Sequence, residues 1–228
     1  MGAPRQHQIV SWDSLTLTDV LGSGVQGVVH KGYLRLENDT RIEVVVKKAL
    51  ENDHNIIEEA TALHHVGGAG GTPHLYGVTE DPVAMVMSLC PGTPLHIFLT
   101  VESQEHCLQA FVKICQALRD FHEAGYAHRD LHCANVLVEK DIRDKLQVHI
   151  IDVGMAQPLT GNERSDRNIV SKDHASLVRI AKNLLRVLSE TSDTAVFRDT
   201  VRKMKPNEMN ARLAEELATG LLNHTSWV

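Results

Sequence analysis

The chain has 228 residues, 43% of them apolar and only 4% aromatic, with a formal net charge of -6. That length supports a sizeable, mainly aliphatic core in one domain or two small lobes. The acidic balance, without a face-wide Lys/Arg cluster, argues against a direct nucleic-acid footprint, and no stretch reaches membrane-spanning length. The four cysteines, Cys90, Cys107, Cys115 and Cys133, form no CxxC pair, which argues against zinc and against a disulfide framework. Met1 to Trp12 contains no apolar run of a secretory signal. A soluble, intracellular, cytoplasmic protein is the expectation.

In chain order, the first part reads as strands with one helix. Leu17–Leu21 leads into Gly22-Ser23-Gly24-Val25-Gln26-Gly27, and Val28–Leu36 follows as a second strand. After the polar turn Glu37-Asn38-Asp39 comes Arg41–Lys48, with the β-branched run Val44-Val45-Val46. Asp53 is placed to cap a helix over about 55–65, with Ile56, Ala60, Leu63 and Ile57 on its apolar face. Gly67–Gly71 breaks that helix, and 74–78 and 83–88 read as two more strands. Pro91-Gly92-Thr93-Pro94 punctuates the middle. Beyond it, Ser103–Ala124 carries Leu108, Phe111, Val112, Cys115, Leu118 and Phe121 at helical spacing, with Gly125 as a stop. Val136–Val138 and Val148–Ile151 read as short strands, Asp173–Leu188 as an apolar helix, and Asn207–Leu222 as a last one.

Between these elements lies the strongest signal. His128-Arg129-Asp130-Leu131-His132-Cys133-Ala134-Asn135 puts a carboxylate and an amide five positions apart, and Asp152-Val153-Gly154 follows seventeen residues after Asn135. A carboxylate to orient a hydroxyl, with an amide and a second carboxylate to hold magnesium, is the set that phosphoryl transfer needs. The histidines do not offer an alternative. His122 and His128 lack HExxH spacing, and His128 and His132 lie across a predicted loop. Alone, Asp152 reads as an Asx turn; after the Asp130 loop it reads as a cation ligand.

The remaining candidates are weaker singly. Gly22-x-Gly24-x-x-Gly27 sits between two strands, which suits a loop over nucleotide phosphates and does not suit a Rossmann turn; on these residues alone, a hairpin with incidental glycines stands equally. Lys47 lies twenty residues after Gly27, and strand alternation turns it with Val45 to one face and Lys48 to the other. Two carboxylates, Glu58 and Glu59, are possible partners for it. Glu59, next to Ala60 and one turn before Leu63, is preferred.

Together these motifs resemble the eukaryotic-type protein kinase family over roughly 15–190. The resemblance implies an α+β, two-lobed fold: a five-stranded antiparallel sheet with one helix, then a reduced, mainly helical lower lobe. It implies an N-terminal extension over 1–14, an upper lobe over 15–90 and a lower lobe over 91–228. It implies ATP and Mg²⁺ as cofactors. Asp130, Lys47 and Glu59 would be the catalytic set and Asn135 and Asp152 the metal ligands. Gly22, Gly24 and Gly27 would cover the phosphates, while Val29, Val45 and Leu137 would sandwich adenine. Met87 would guard the back of the pocket, and Ser88, Leu89 and Cys90 would form the hinge. His128 and Arg129 would be structural.

Departures leave the acceptor open. Protein Ser/Thr kinases carry a lysine where His132 stands, and a histidine there resembles aminoglycoside and other small-molecule phosphotransferases. Gln26 and Val153 replace usual aromatics. Eighteen residues separate Gly154 from Asp173, the residue aligned with the buried Asp of the family's central helix, and no Ala-Pro-Glu lies between them. Compact atypical kinases such as the RIO family share these traits. Three readings stand: a compact protein Ser/Thr kinase, a small-molecule kinase, and a nucleotide-binding pseudokinase or scaffold. The acceptor is an unidentified protein or small-molecule hydroxyl, and a regulatory protein partner fits the short segment. No catalytic residue is lost, which favours catalysis.

Overall fold

The computed structural model describes residues 7–24, 27–49, 55–205 and 209–225. The chain forms two compact units, one of residues 1–68 and 73–90, the other of residues 69–72 and 91–228.

In the first unit, β1 (Leu15–Gly24), β2 (Gly27–Arg35), β3 (Arg41–Lys48), β4 (Leu75–Glu80) and β5 (Val83–Ser88) make one antiparallel sheet in the order β1-β2-β3-β5-β4. The β-branched run of β3 takes a central place because it can be covered on both faces. Val44 and Val46 enter a small core with Val10, Leu34, Ala84 and Val86. Val45 and Lys47 alternate to the opposite face. The outer edge of β4 is covered by residues 8–10: the Val10 N–H donates to Val78 O at 2.9 Å and the Val78 N–H to Gln8 O at 3.0 Å. A covered edge cannot template pairing with another chain.

Helix α1 (Asn55–Val66) buries Ile56, Ala60 and Leu63. Ile57, expected on the same face, is instead 40% exposed, one residue round from the buried stripe. The expected cap Asp53 and the loop-tip residue Gln26 lie outside the described residues.

The second unit is mainly helical. Its chain runs through β6 (Thr93–Pro94), α2 (Leu95–Val101), α3 (Gln104–Glu123), β7 (Tyr126–Ala127), β8 (Val136–Lys140), β9 (Leu146–Ile150), β10 (Gln157–Pro158), α4 (Glu163–Leu184), α5 (Ser192–Lys203) and α6 (Ala211–His224). Helix α3 forms as its periodicity predicts. Ser103 caps it by accepting the His106 N–H, and Leu108, Phe111, Ile114, Leu118 and Phe121 are all buried. Each such side chain contributes about 1.5–3 kcal/mol on burial. Gly125, with φ +85°, takes the left-handed turn that ends it. Among the described residues, no helix is long and apolar enough to cross a membrane.

The architecture is the expected α+β one, with three corrections to its helices. Helix α2 was not anticipated, because seven residues are too few to show a period. Helix α4 begins ten residues before Asp173. Its first turns are polar, carry no apolar stripe, and are started by the Asn162 side chain accepting the Arg164 and Ser165 N–H groups. Helix α5 was also unforeseen. It opens on a reciprocal cap between Thr191 and Thr194 and buries Phe197 and Val201. Its Arg198 donates to Leu185 O at 2.9 Å and Leu188 O at 2.7 Å, satisfying carbonyls left open where α4 ends. The last helix starts at Ala211; 207 and 208, where it was expected to begin, lie outside the described residues.

Candidate active site

The first unit holds a buried ion pair. Lys47 Nζ donates to both carboxylate oxygens of Glu59, at 3.0 and 2.7 Å. Lys47 and Glu59 are each 5% exposed. β3 turns Lys47 inward and α1 turns Glu59 to meet it, while the neighbouring Glu58 faces solvent. Two desolvated charges hold only as a pair. Removing either leaves an uncompensated charge, at about 3–5 kcal/mol.

Around this pair the sheet register collects other expected residues. Val29 is opposite Lys47 on β2, and Val45 is opposite Met87 on β5. Ser88 ends β5; its N–H donates to His74 O at 2.8 Å and its hydroxyl accepts the His74 N–H at 2.9 Å. The Ser88 N–H is therefore committed to the His74 carbonyl just before β4 and is not open to a base. Leu89 and Cys90 follow β5 as irregular chain, and Leu137 belongs to β8 of the second unit.

The glycines divide into two kinds. Gly24 pairs with Gly27 at the end of the β1–β2 hairpin. Gly27 has φ +144°, and a Cβ there would strike the Lys48 carbonyl, so packing on β3 requires it. At Gly22 and Gly24 a Cβ would meet nothing within 4 Å. The fold makes no demand for glycine at these two positions and leaves space beside their backbone.

The second unit holds the other half of the set. β7 leads into the 128–135 loop, and β8 and β9 form the hairpin that follows it. His128 is buried, donates from Nε2 to Ile151 O at 3.1 Å, and accepts the Asp130 N–H at Nδ1 at 3.3 Å. Those two bonds assign the neutral tautomer. Burial also pushes its pKa down, against the opposing pull of Ile151 O and Asp173.

Asp173, fully buried on α4, accepts the His128 N–H at 2.8 Å, the Arg129 N–H at 2.6 Å and His122 Nε2 at 2.9 Å. Its two backbone bonds hold Arg129 at φ +67°, a conformation costly for a non-glycine residue. His122, on α3, is thereby a partner of Asp173. Asn135 Nδ2 donates to Asp130 O at 3.0 Å and so closes the loop. The Asp130 carboxylate is left half-exposed, with His132 Nε2 3.8 Å away. His132 Nδ1 accepts the Ala134 N–H at 3.2 Å, so the proton of the neutral ring sits on the nitrogen facing Asp130.

At the open end of the β8–β9 hairpin the Ile151 N–H donates to Asn135 O at 2.9 Å, and Asp152 is the next residue in the chain. Asp152 stands exposed at φ +61°, while Val153 beside it is buried. Among the described residues no group of three or more His, Cys, Asp or Glu is arranged to hold a metal by itself. One carboxylate and one amide oxygen do suit Mg²⁺, which takes few protein oxygens and completes its shell with phosphate and water. The residues present fit that cation.

Sequence comparison agrees in kind. A family model described as protein tyrosine and serine/threonine kinase matches residues 15–194. The tyrosine-protein kinase sid-3 of Caenorhabditis elegans is 28% identical over 172 residues, covering 70% of this chain and 13% of that protein. The serine/threonine-protein kinase ULK3 of Homo sapiens is 28% identical over 162 residues, covering 65% and 33% respectively. Maternal embryonic leucine zipper kinase of Danio rerio is 32% identical over 151 residues, covering 63% and 22%. The chain thus spans at most a third of the length of these relatives. With a match across most of its length, the chain belongs to the protein tyrosine and serine/threonine kinase family.

Proposed function

We propose that the protein transfers the γ-phosphate of Mg-ATP to a hydroxyl acceptor, a protein Ser/Thr side chain. The observation that carries this reading is the 128–135 loop. Asp173 fixes its start, the Asn135 amide closes its end, and the Asp130 carboxylate stands open between them.

In this reading Lys47, held by Glu59, neutralises the α- and β-phosphates. Gly22, Gly24 and Gly27 give their N–H groups to the phosphates. Val29, Val45 and Leu137 enclose the adenine, with Met87 behind it and the Ser88–Cys90 backbone along its edge. Asn135 Oδ1 and the Asp152 carboxylate would hold Mg²⁺. When bound there, Mg²⁺ would supply positive charge to offset that of the phosphates. Asp130 accepts the hydrogen bond of the acceptor hydroxyl, orients that oxygen in line with the γ-phosphorus and takes its proton. The new O–P bond forms as the bond to the bridging oxygen breaks, and ADP leaves. The names of relatives such as ULK3 favour a protein acceptor. His132, facing Asp130 where Ser/Thr kinases have a lysine, favours the second reading, a small-molecule hydroxyl.

The test is ADP release and γ-phosphate labelling with a panel of casein, histone, myelin basic protein and a mixture of aminoglycosides and sugars. The wild-type protein labels a panel member. Asp130→Asn keeps its ATP affinity and loses about two orders of magnitude or more in kcat. Turnover unchanged in Asp130→Asn, or absent from the wild type with every acceptor, sinks the assignment.

A further inference from the structure

The chain between Asp152 and α4 is short, and it is tied down along its length. The Ala156 N–H donates to Val153 O at 2.9 Å, closing a turn. Gln157 and Pro158 then pair with Ala127 and Tyr126, the residues that lead directly into the Asp130 loop. The Leu159 N–H donates to Gly125 O at 2.7 Å. The last tie is made by one carboxylate. Asp166 Oδ1 accepts the Thr160 N–H at 2.9 Å and the Thr160 hydroxyl at 3.1 Å, and Oδ2 accepts the Gly161 N–H at 2.8 Å.

Asp166 and Asp173 are seven residues apart on α4, which puts them on one face, two turns and about 10 Å apart. One helix face thus grips two stretches of chain through two carboxylates. Asp173 holds the start of the 128–135 loop, and Asp166 holds the segment that pairs with the strand before that loop. The backbone bonds at Asp166 favour its ionised form, and its pKa is lowered accordingly.

We infer that Asp166 is a positioning residue for the acceptor side of the reaction: it brackets Thr160 and Gly161 and so keeps the 155–161 segment set against the catalytic loop without any modification. An ordering anion elsewhere supplied by a phosphate group is here built into α4 as a carboxylate. This rests on the phosphotransfer reading. It specifies how the acceptor side of that site is regulated: the segment is held ordered at all times, and acceptor binding does not wait for a switch.

The experiment compares wild type, Asp166→Ala and Asp166→Asn by backbone amide exchange over 157–161, by thermal melting, and by kinetics with ATP and with whichever panel acceptor the wild type labels. In Asp166→Ala the Thr160 and Gly161 amides exchange about tenfold faster, kcat/KM for the acceptor falls about tenfold, and KM for ATP stays within about twofold. Asp166→Asn keeps an acceptor for Thr160 but offers Gly161 an N–H, so it falls between the two. If Asp166→Ala does not fold, Asp166→Asn decides: losses of about threefold in both readouts support the proposal. Wild-type exchange, or faster exchange with unchanged acceptor kcat/KM, overturns it while leaving the phosphotransfer reading intact. A wild-type protein that releases no ADP with any acceptor removes that reading, and this inference with it.

Discussion

Asn135 and Asp130 are joined by one hydrogen bond, from the Asn135 side-chain amide to the Asp130 carbonyl at 3.0 Å. In the proposed function the same amide has two tasks: its nitrogen closes the loop, and its oxygen would be offered to a cation. Asn135→Ala removes both and lowers ATP turnover about 100-fold. Asn135→Asp restores an oxygen ligand but loses the donor, so it turns over between the two and shows a changed Mg²⁺ requirement. A Mg²⁺ titration of ADP release checks this. Equal rates in all three proteins would remove Asn135 from the site.

In the proposed function Lys47 and Asp152 would act on the same nucleotide. Calorimetry on Lys47→Ala and Asp152→Asn therefore finds weakened Mg-ATP binding in each. Lys47→Ala carries a second signature. It strands the buried Glu59 carboxylate and lowers stability by about 3–5 kcal/mol. Adding Glu59→Gln to Lys47→Ala recovers part of that loss in denaturant titrations. Wild-type affinity in both single variants contradicts the nucleotide assignment even if the stability pattern holds.

The proposed ordering by Asp166 predicts that phosphorylation of the segment before Asp173 is not needed for activity. Thr160 is bonded to Asp166, Ser165 is an exposed residue of α4, and Ser171 donates to Asn168 O within the same helix. Substituting all three with Ala leaves the rate within a few-fold, because the two amide bonds to Asp166 survive. A drop of ~100-fold, about 2.7 kcal/mol, reversed by Asp or Glu at one of these positions, would reveal a phospho-switch.

Acid destabilises the second unit partly through His128. Its folded pKa lies below the usual 6.5 because burial disfavours the cation. The unfolded chain then takes up the proton first. His128 costs the fold nothing well above pH 6.5, and stability falls as pH drops below 6.5 until the folded pKa is passed. His174, also lowered by burial, adds a fall of the same sign. Melting temperatures between pH 8 and pH 5 check this at constant ionic strength. His128→Gln makes the acid slope shallower, whatever it does to stability at neutral pH. An identical slope in that variant excludes the mechanism.

Much of this protein was legible without coordinates. The 128–135 loop and the Asp152-Val153-Gly154 turn are local patterns, so residue identity and spacing alone carry them. Period-two alternation put Lys47 on the face opposite Val44 and Val46, and the helical stripe of α3 marked Leu108, Phe111, Cys115, Leu118 and Phe121 as buried, because both periods follow from backbone geometry. The helical position of Glu59, beside Ala60, singled it out from Glu58. Only the tertiary structure decided the rest. No sequence pattern joins His122 to Asp173, fifty-one residues away. None shows that Ser88 spends its N–H on His74, or that Gly27 answers to β3 while Gly22 and Gly24 do not. The first turns of α4 carry no apolar stripe, so a reading based on hydrophobic period starts that helix ten residues late. It thereby misses Asp166, whose partners lie outside the helix. Periodicity reports which side of an element is buried; which polar groups meet across a fold depends on chain folding over long separations, and a polar residue that finds its partner that way leaves no mark on the sequence around it.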